Sequence, residues 1–129
     1  MKILFVCEGN AARSQIAEGF VNNLSSSMIA RSAGIIPAGF IAKKAIEVMK
    51  EKGIDISAQN SKAFTKKDLE WADVIIIVCE SNKGLSNFIP IKKKIINWDI
   101  EDPRGKDLEF YRRVRDKIEE KVKELIANI

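Results

Sequence analysis

The chain has 129 residues, of which 46% are hydrophobic; 22 lysines and arginines face 18 aspartates and glutamates, and there is no histidine. That length fits one domain over residues 1–129 with its own core. The net charge of +4 comes mostly from expected helix faces, so a solvated surface is expected, with no nucleic-acid or membrane partner. Without histidine there are no Ser–His or Cys–His nucleophile pairs and none of the usual zinc sites, and neither a metal nor a cofactor is expected.

No apolar run approaches membrane-spanning length, and the first apolar run is too short for a signal peptide. The two cysteines, Cys7 and Cys79, lie too far apart in sequence to read as a secreted disulfide framework. A cytoplasmic location is the expectation.

In chain order, Lys2 to Val6 reads as a buried strand, continuous and β-branched rather than alternating. A loop follows, then a helix marked by Ile16, Ala17, Phe20, Val21 and Leu24. Met28 to Ser32 is a weaker strand. Ala42, Ala45, Ile46 and Met49 mark a helix that Gly53 ends. A short helix covers Lys66 to Trp71, and Val74 to Val78 is a second buried strand. The run Lys92-Lys93-Lys94 leads into a strand over Lys94 to Trp98. Leu108, Tyr111, Val114, Ile118, Val122, Leu125 and Ile129 form the apolar stripe of the last helix.

This alternation specifies an α/β fold, a parallel sheet flanked by helices on both faces. Ligands of such folds sit at the carboxyl ends of the strands. That places candidate chemistry after Val6, after Val78 and after Trp98.

The first of these loops is Cys7-Glu8-Gly9-Asn10-Ala11-Ala12-Arg13-Ser14. A strand-to-helix turn aims several N–H groups into one concavity, and the helix N-terminus adds positive potential. Gly9 tolerates a positive φ, and Asn10 accepts the left-handed region better than most residues. Small Ala11 and Ala12 let the backbone close around a tetrahedral oxyanion. Arg13 would aim its fork at two of the oxygens, and Ser14 would donate to the sulfur. The same features favour the thiolate, the attacking form of cysteine. The alternative is that Cys7 is a small buried residue finishing a core strand. The nucleotide cradles G-x-x-x-x-G-K-[ST] and G-x-G-x-x-G are absent.

The pattern C-x5-R-S followed by Gln15-Ile16-Ala17-Glu18-Gly19-Phe20 resembles the low-molecular-weight protein tyrosine phosphatase superfamily, and its arsenate reductase branch more closely. Ser32-Ala33-Gly34, Gly53-Ile54-Asp55-Ile56-Ser57, Ala72-Asp73 and Asp102-Pro103 extend the resemblance over nearly the whole chain. It implies a four-stranded parallel sheet in a three-layer, single-domain sandwich. It also implies that the aspartate of Asp-Pro is the general acid, which is Asp102 here. That residue follows a strand end, where Pro103 stiffens the turn that presents it. Asp99 and Glu101 are its neighbours and competitors.

Two activities share these residues. Phosphatases of the family place aromatics after Asp-Pro, where this chain has Arg104-Gly105; Phe40 is a candidate apolar wall. Asp55 to Ser61 and Trp98 resemble the reductase version. Thioredoxin-type reductases use three cysteines, of which Cys7 and Cys79 match two, while Ser86 stands where the third is sought. The resemblance thus implies arsenate reduction with Cys79 resolving the adduct, and an external thiol or thioredoxin-like reductant. Cys79 reads equally as a core residue at a strand end.

The expected ligands are small oxyanions, arsenate or phosphate, or a phosphomonoester. Hydrolysis through a Cys7 phosphoenzyme is the second reading, and a non-catalytic phosphate-binding module the third. Glu8 puts a negative charge beside the nucleophile unless it turns to solvent. Some reductases of the family hold a monovalent cation with an Asn, Glu, Ser and Asp. Asn10 and Glu18 match two of these, but Lys62 stands in place of the Asp, where its ammonium would replace the cation.

Overall fold

A computed structural model describes residues 1–79 and 93–128. Strands β1 (Lys2–Cys7), β2 (Ile29–Gly34), β3 (Val74–Ile77) and β4 (Lys94–Asn97) form one sheet in the order β2-β1-β3-β4. All three pairings are parallel. The helices are α1 (Arg13–Leu24), α2 (Lys43–Lys50), α3 (Lys66–Trp71) and α4 (Leu108–Ala127).

The unbroken apolar run of β1 is explained by burial on both faces. Ile3 and Phe5 join the larger core cluster with Phe20 of α1, Val48 of α2 and Ile118 of α4. Leu4 and Val6 face the other way, with Ile75 and Ile77 of β3 and, in α3, Leu69. A strand covered by helices on both sides gains from an apolar residue at every position. Fully buried side chains such as Phe5, Phe20 and Ile118 each contribute about 1.5–3 kcal/mol.

Strand β2 runs to Gly34 rather than ending at Ser32, because its register with β1 carries on to the pair Cys7↔Gly34. Helix α2 stops at Lys50, and Gly53, at φ 75°, closes it with N–H bonds from Gly53 to the Lys50 carbonyl and from Ile54 to the Met49 carbonyl. Asp107 caps α4, accepting the Phe110 N–H at 2.9 Å. Ile129 lies outside the described residues. Among them, no helix is long and apolar enough to cross a membrane.

Candidate active site

The central strands β1 and β3 end side by side, and the site is built on their carboxyl ends. Cys7 is the last residue of β1 and Arg13 the first of α1. The turn between them is held by buried polar bonds, with Asn10 at the centre. Its N–H donates to Cys7 Sγ at 3.1 Å, and its Nδ2 donates to Ser14 Oγ at 2.8 Å. Its Oδ1 accepts the Lys62 N–H at 2.9 Å and its carbonyl accepts Gln15 Nε2 at 3.0 Å. Ser14 Oγ in turn lies 2.9 Å from Cys7 Sγ. Asn10, Ser14 and Gln15 are fully buried, so losing any of these bonds would leave a costly orphan.

Among the described residues, Asn10 is also the non-glycine residue with positive φ, at 49°. Of the two neighbours able to take the left-handed turn, Asn10 takes it, with its side chain anchored to Ser14 Oγ and to the Lys62 N–H. Both residues line the cavity.

The direction of the loop amides follows from peptide planarity. The carbonyls of Cys7, Glu8, Gly9 and Ala11 accept N–H bonds from Ile35, Ile36, Ala38 and Ala42, all on one neighbouring segment. In a trans peptide the N–H of the next residue points the opposite way. The amides of Glu8, Gly9, Asn10 and Ala12 therefore turn inward, and the Asn10 N–H on sulfur shows that direction. No side chain caps α1 and no acidic residue sits in its first turn, whereas α3 and α4 are capped by Thr65 and Asp107. Helix α2, whose N-cap Ala42 lines the same cavity, is also uncapped.

Cys7 lies 3% exposed at a cavity of about 480 Å³ that every residue from Cys7 to Arg13 lines. Arg13 is buried; its Nη1 donates to the Ile100 carbonyl at 2.8 Å and its Nη2 lies 3.7 Å from Asp102 Oδ2. Asp102 lines the cavity with a quarter of its side chain exposed, whereas Glu101 lines a different depression beside Phe110 and Asp99 is exposed. Glu8 is exposed, so its charge has the solvent route it needs.

Phe40 does form an apolar wall, joined by Ile36, Pro37 and Ala38. Trp98, by contrast, is buried against Phe5 with ring centroids 5.5 Å apart, and belongs to the core. Cys79 is buried in the same cluster as Cys7. Ser86 falls outside the described residues. Near Asn10, Glu18 accepts the Ser32 hydroxyl at 2.6 Å, and burial holds its carboxyl above the usual range. The Lys62 charge partly offsets that burial, while Lys62 Nζ donates to the Asn60 carbonyl at 3.3 Å. A lysine in this place does not suit a second cation.

Two residues that shape the site were not singled out for it in the sequence. Tyr111 reads as part of the α4 stripe, yet it also lines the cavity; burial and then the Asp102 charge raise its phenol, keeping its O–H. Gly34 was visible only through family resemblance. A Cβ there would sit 2.8 Å from the Glu8 carbonyl oxygen and 3.0 Å from Asn10 Cβ, so glycine lets β2 lie against the loop.

The arrangement brings a sulfur with hydrogen-bond donors, inward amides, a buried guanidinium and a carboxylate to one concavity. It can hold a tetrahedral oxyanion, attack it and donate a proton. Known proteins agree with that geometry. A glutaredoxin arsenate reductase of Synechocystis is 37% identical over 128 residues, covering 99% of this chain and 98% of that one. A solved structure described as an arsenate reductase in the phosphate binding state superposes with a TM-score of 0.89 at 36% identity, over 99% of this chain and 98% of its own. A low molecular weight protein tyrosine phosphatase from T. tengcongensis gives 0.90 at 32% identity, over 100% and 99%. Residues 2–129 match the model for low molecular weight phosphotyrosine protein phosphatase, and the chain belongs to that family.

Proposed function

We propose that this chain is a cytoplasmic arsenate reductase in which Cys7 is the nucleophile. The observation that carries the reading is the sulfur itself. It accepts the Asn10 N–H and shares a hydrogen bond with Ser14 in a cavity that also holds Arg13 and Asp102, and the second cysteine lies in the same apolar cluster. Donors directed at sulfur stabilise negative charge on it.

Arsenate sits on the loop amides of Glu8 to Ser14 and on Arg13. Cys7 sulfur attacks arsenic; an oxygen leaves as water, taking its proton from Asp102. Cys79 sulfur then attacks Cys7 sulfur. The S–As bond breaks with its electron pair going to arsenic, which departs as arsenite, and a Cys7–Cys79 disulfide forms. Two equivalents of an external thiol, or a thioredoxin-like dithiol, restore both cysteines.

The Phe40 and Ile36 wall supports a second reading, hydrolysis of an aryl phosphate through a Cys7 phosphoenzyme. Side-by-side assays of arsenate reduction and aryl phosphate hydrolysis separate the two. Cys7→Ser should abolish both, while Cys79→Ser should abolish reduction and spare hydrolysis. Full arsenate reduction by Cys79→Ser would remove Cys79 from the mechanism.

A further inference from the structure

The cavity is far larger than a bare oxyanion needs. At about 480 Å³ it falls in the range of sites for small organic molecules. Its inner end is the Cys7 loop; its outer part has an apolar side and a cationic corner. Ile36 and Phe40, 69% and 63% exposed, form the apolar side. The corner is Arg104, whose side chain is 83% exposed.

Arg104 is placed by its backbone. The Lys106 N–H donates to the Pro103 carbonyl at 2.9 Å, and Gly105 has φ 80°, so Pro103 to Lys106 form a turn that a glycine at that position favours. Lys44 Nζ holds the Lys106 carbonyl at 2.6 Å, and the Arg104 N–H donates to Asp102 Oδ1 at 3.0 Å. Its guanidinium lies 3.4 Å from Asp102 Oδ2, on the carboxylate that Arg13 approaches at 3.7 Å. Asp102 thus stands between an inner guanidinium at the oxyanion loop and an outer one at the mouth.

The chain has only two cysteines, so no third sulfur carries an oxidised Cys7–Cys79 pair toward the surface. The cavity that Cys7 lines is the described opening through which a reductant reaches that sulfur. We infer that the outer part of the cavity is a subsite for a small carboxylate-bearing thiol, its carboxylate on Arg104 and its body on Phe40 and Ile36. This rests on the reductase reading above. The thiolate of that molecule attacks Cys7 sulfur, Cys79 leaves as thiolate, and a mixed disulfide on Cys7 results. A second thiol molecule attacks the outer sulfur of the mixed disulfide, releasing Cys7 thiolate and the symmetrical small disulfide.

The test has two arms. In a Cys79→Ser background, Cys7 is reacted with a dicarboxylated aryl disulfide and with a neutral dipyridyl disulfide. Arg104→Ala should slow the anionic probe about three- to five-fold, and Arg104→Glu more, with the neutral probe within two-fold of its original rate. Raising the salt should erase the difference. An equal effect on both probes, or none, overturns the subsite. In the second arm, arsenate turnover of the otherwise unmodified chain is driven by 3-mercaptopropionate, 2-mercaptoethanol or cysteamine. The carboxylated thiol should be favoured, after correction for thiol pKa, and Arg104→Ala should remove the preference. A preference that persists in Arg104→Ala overturns the assignment. Failure of every thiol to drive arsenate turnover would instead sink the reductase reading, while the probe ratio still decides whether Arg104 selects anions.

Discussion

The two loops that meet at the cavity are built on opposite plans. The Cys7 loop is held by buried polar bonds: Asn10 alone uses its N–H, its carbonyl and both ends of its amide. The Asp102 loop is a turn at the surface, tied by the Arg13 bond to the Ile100 carbonyl and the Lys44 bond to the Lys106 carbonyl. The first plan suits preorganisation, since donors fixed before the reaction cost no reorganisation when charge develops. The second suits a proton donor and a mouth that meet different ligands. Damage to the inner loop should therefore affect folding and activity together, and damage to the outer loop activity alone.

The largest effect expected is on the outer loop. Asp102→Asn should lower turnover about 10²–10⁴-fold with the melting temperature within a few degrees, measured by steady-state kinetics and calorimetry. A loss of stability comparable to that of an inner-loop variant would break the distinction. Asn10→Ala should do both kinds of harm. It takes one of two hydrogen bonds from Ser14, leaves the Lys62 N–H without its side-chain acceptor and puts alanine at positive φ, so denaturant unfolding should show a loss of about 2–3 kcal/mol, alongside a fall in turnover. Asn10→Gly restores the backbone freedom but not the amide, and should recover only part of each.

Gly34→Ala tests the outward pull on the loop carbonyls. Its Cβ would collide with the Glu8 carbonyl, and overpacking of this kind costs about 1–3 kcal/mol; a weaker affinity for inorganic phosphate by calorimetry should accompany it. The smallest effect is at Glu18. Burial raises its carboxyl above the ordinary 4.5, so the folded state binds the proton more tightly than the unfolded one. Stability from this group falls as pH rises from about 4.5 through the raised value. Glu18→Gln should flatten the stability profile over that window. An unchanged profile would mean that Lys62 and Ser32 fully compensate the burial.

Much of this was legible in the residues. The unbroken run before Cys7 and the stripe from Leu108 onward fixed the layers, because burial on two faces and helical spacing leave plain patterns. The elements of the site were legible where chemistry is local: Cys7, Arg13, Ser14 and Asp102 stand together as expected. What was hidden depends on contacts distant in sequence. Neighbouring Gly9 and Asn10 both tolerate positive φ, and the choice of Asn10 is set by the N–H of Lys62, 52 positions away. Trp98, read only as a mark of the reductase version, packs its ring on Phe5 in the core, a contact that spans most of the chain's length. The segment from Ile35 to Ala42 has no period that marks it, yet it turns the loop amides inward.

The most direct test of the central claim is alkylation of the two cysteines, followed site by site by mass spectrometry, with and without inorganic phosphate. Cys7 and Cys79 are equally buried, at 3% exposure each, so a difference between them reports chemistry and cavity access. Cys7 should react at least about ten times faster, with phosphate protecting it in the native chain and no longer in Arg13→Ala. A Cys7 that reacts no faster than Cys79, or that phosphate fails to protect, would contradict the assignment of this loop as an oxyanion site with a nucleophilic sulfur.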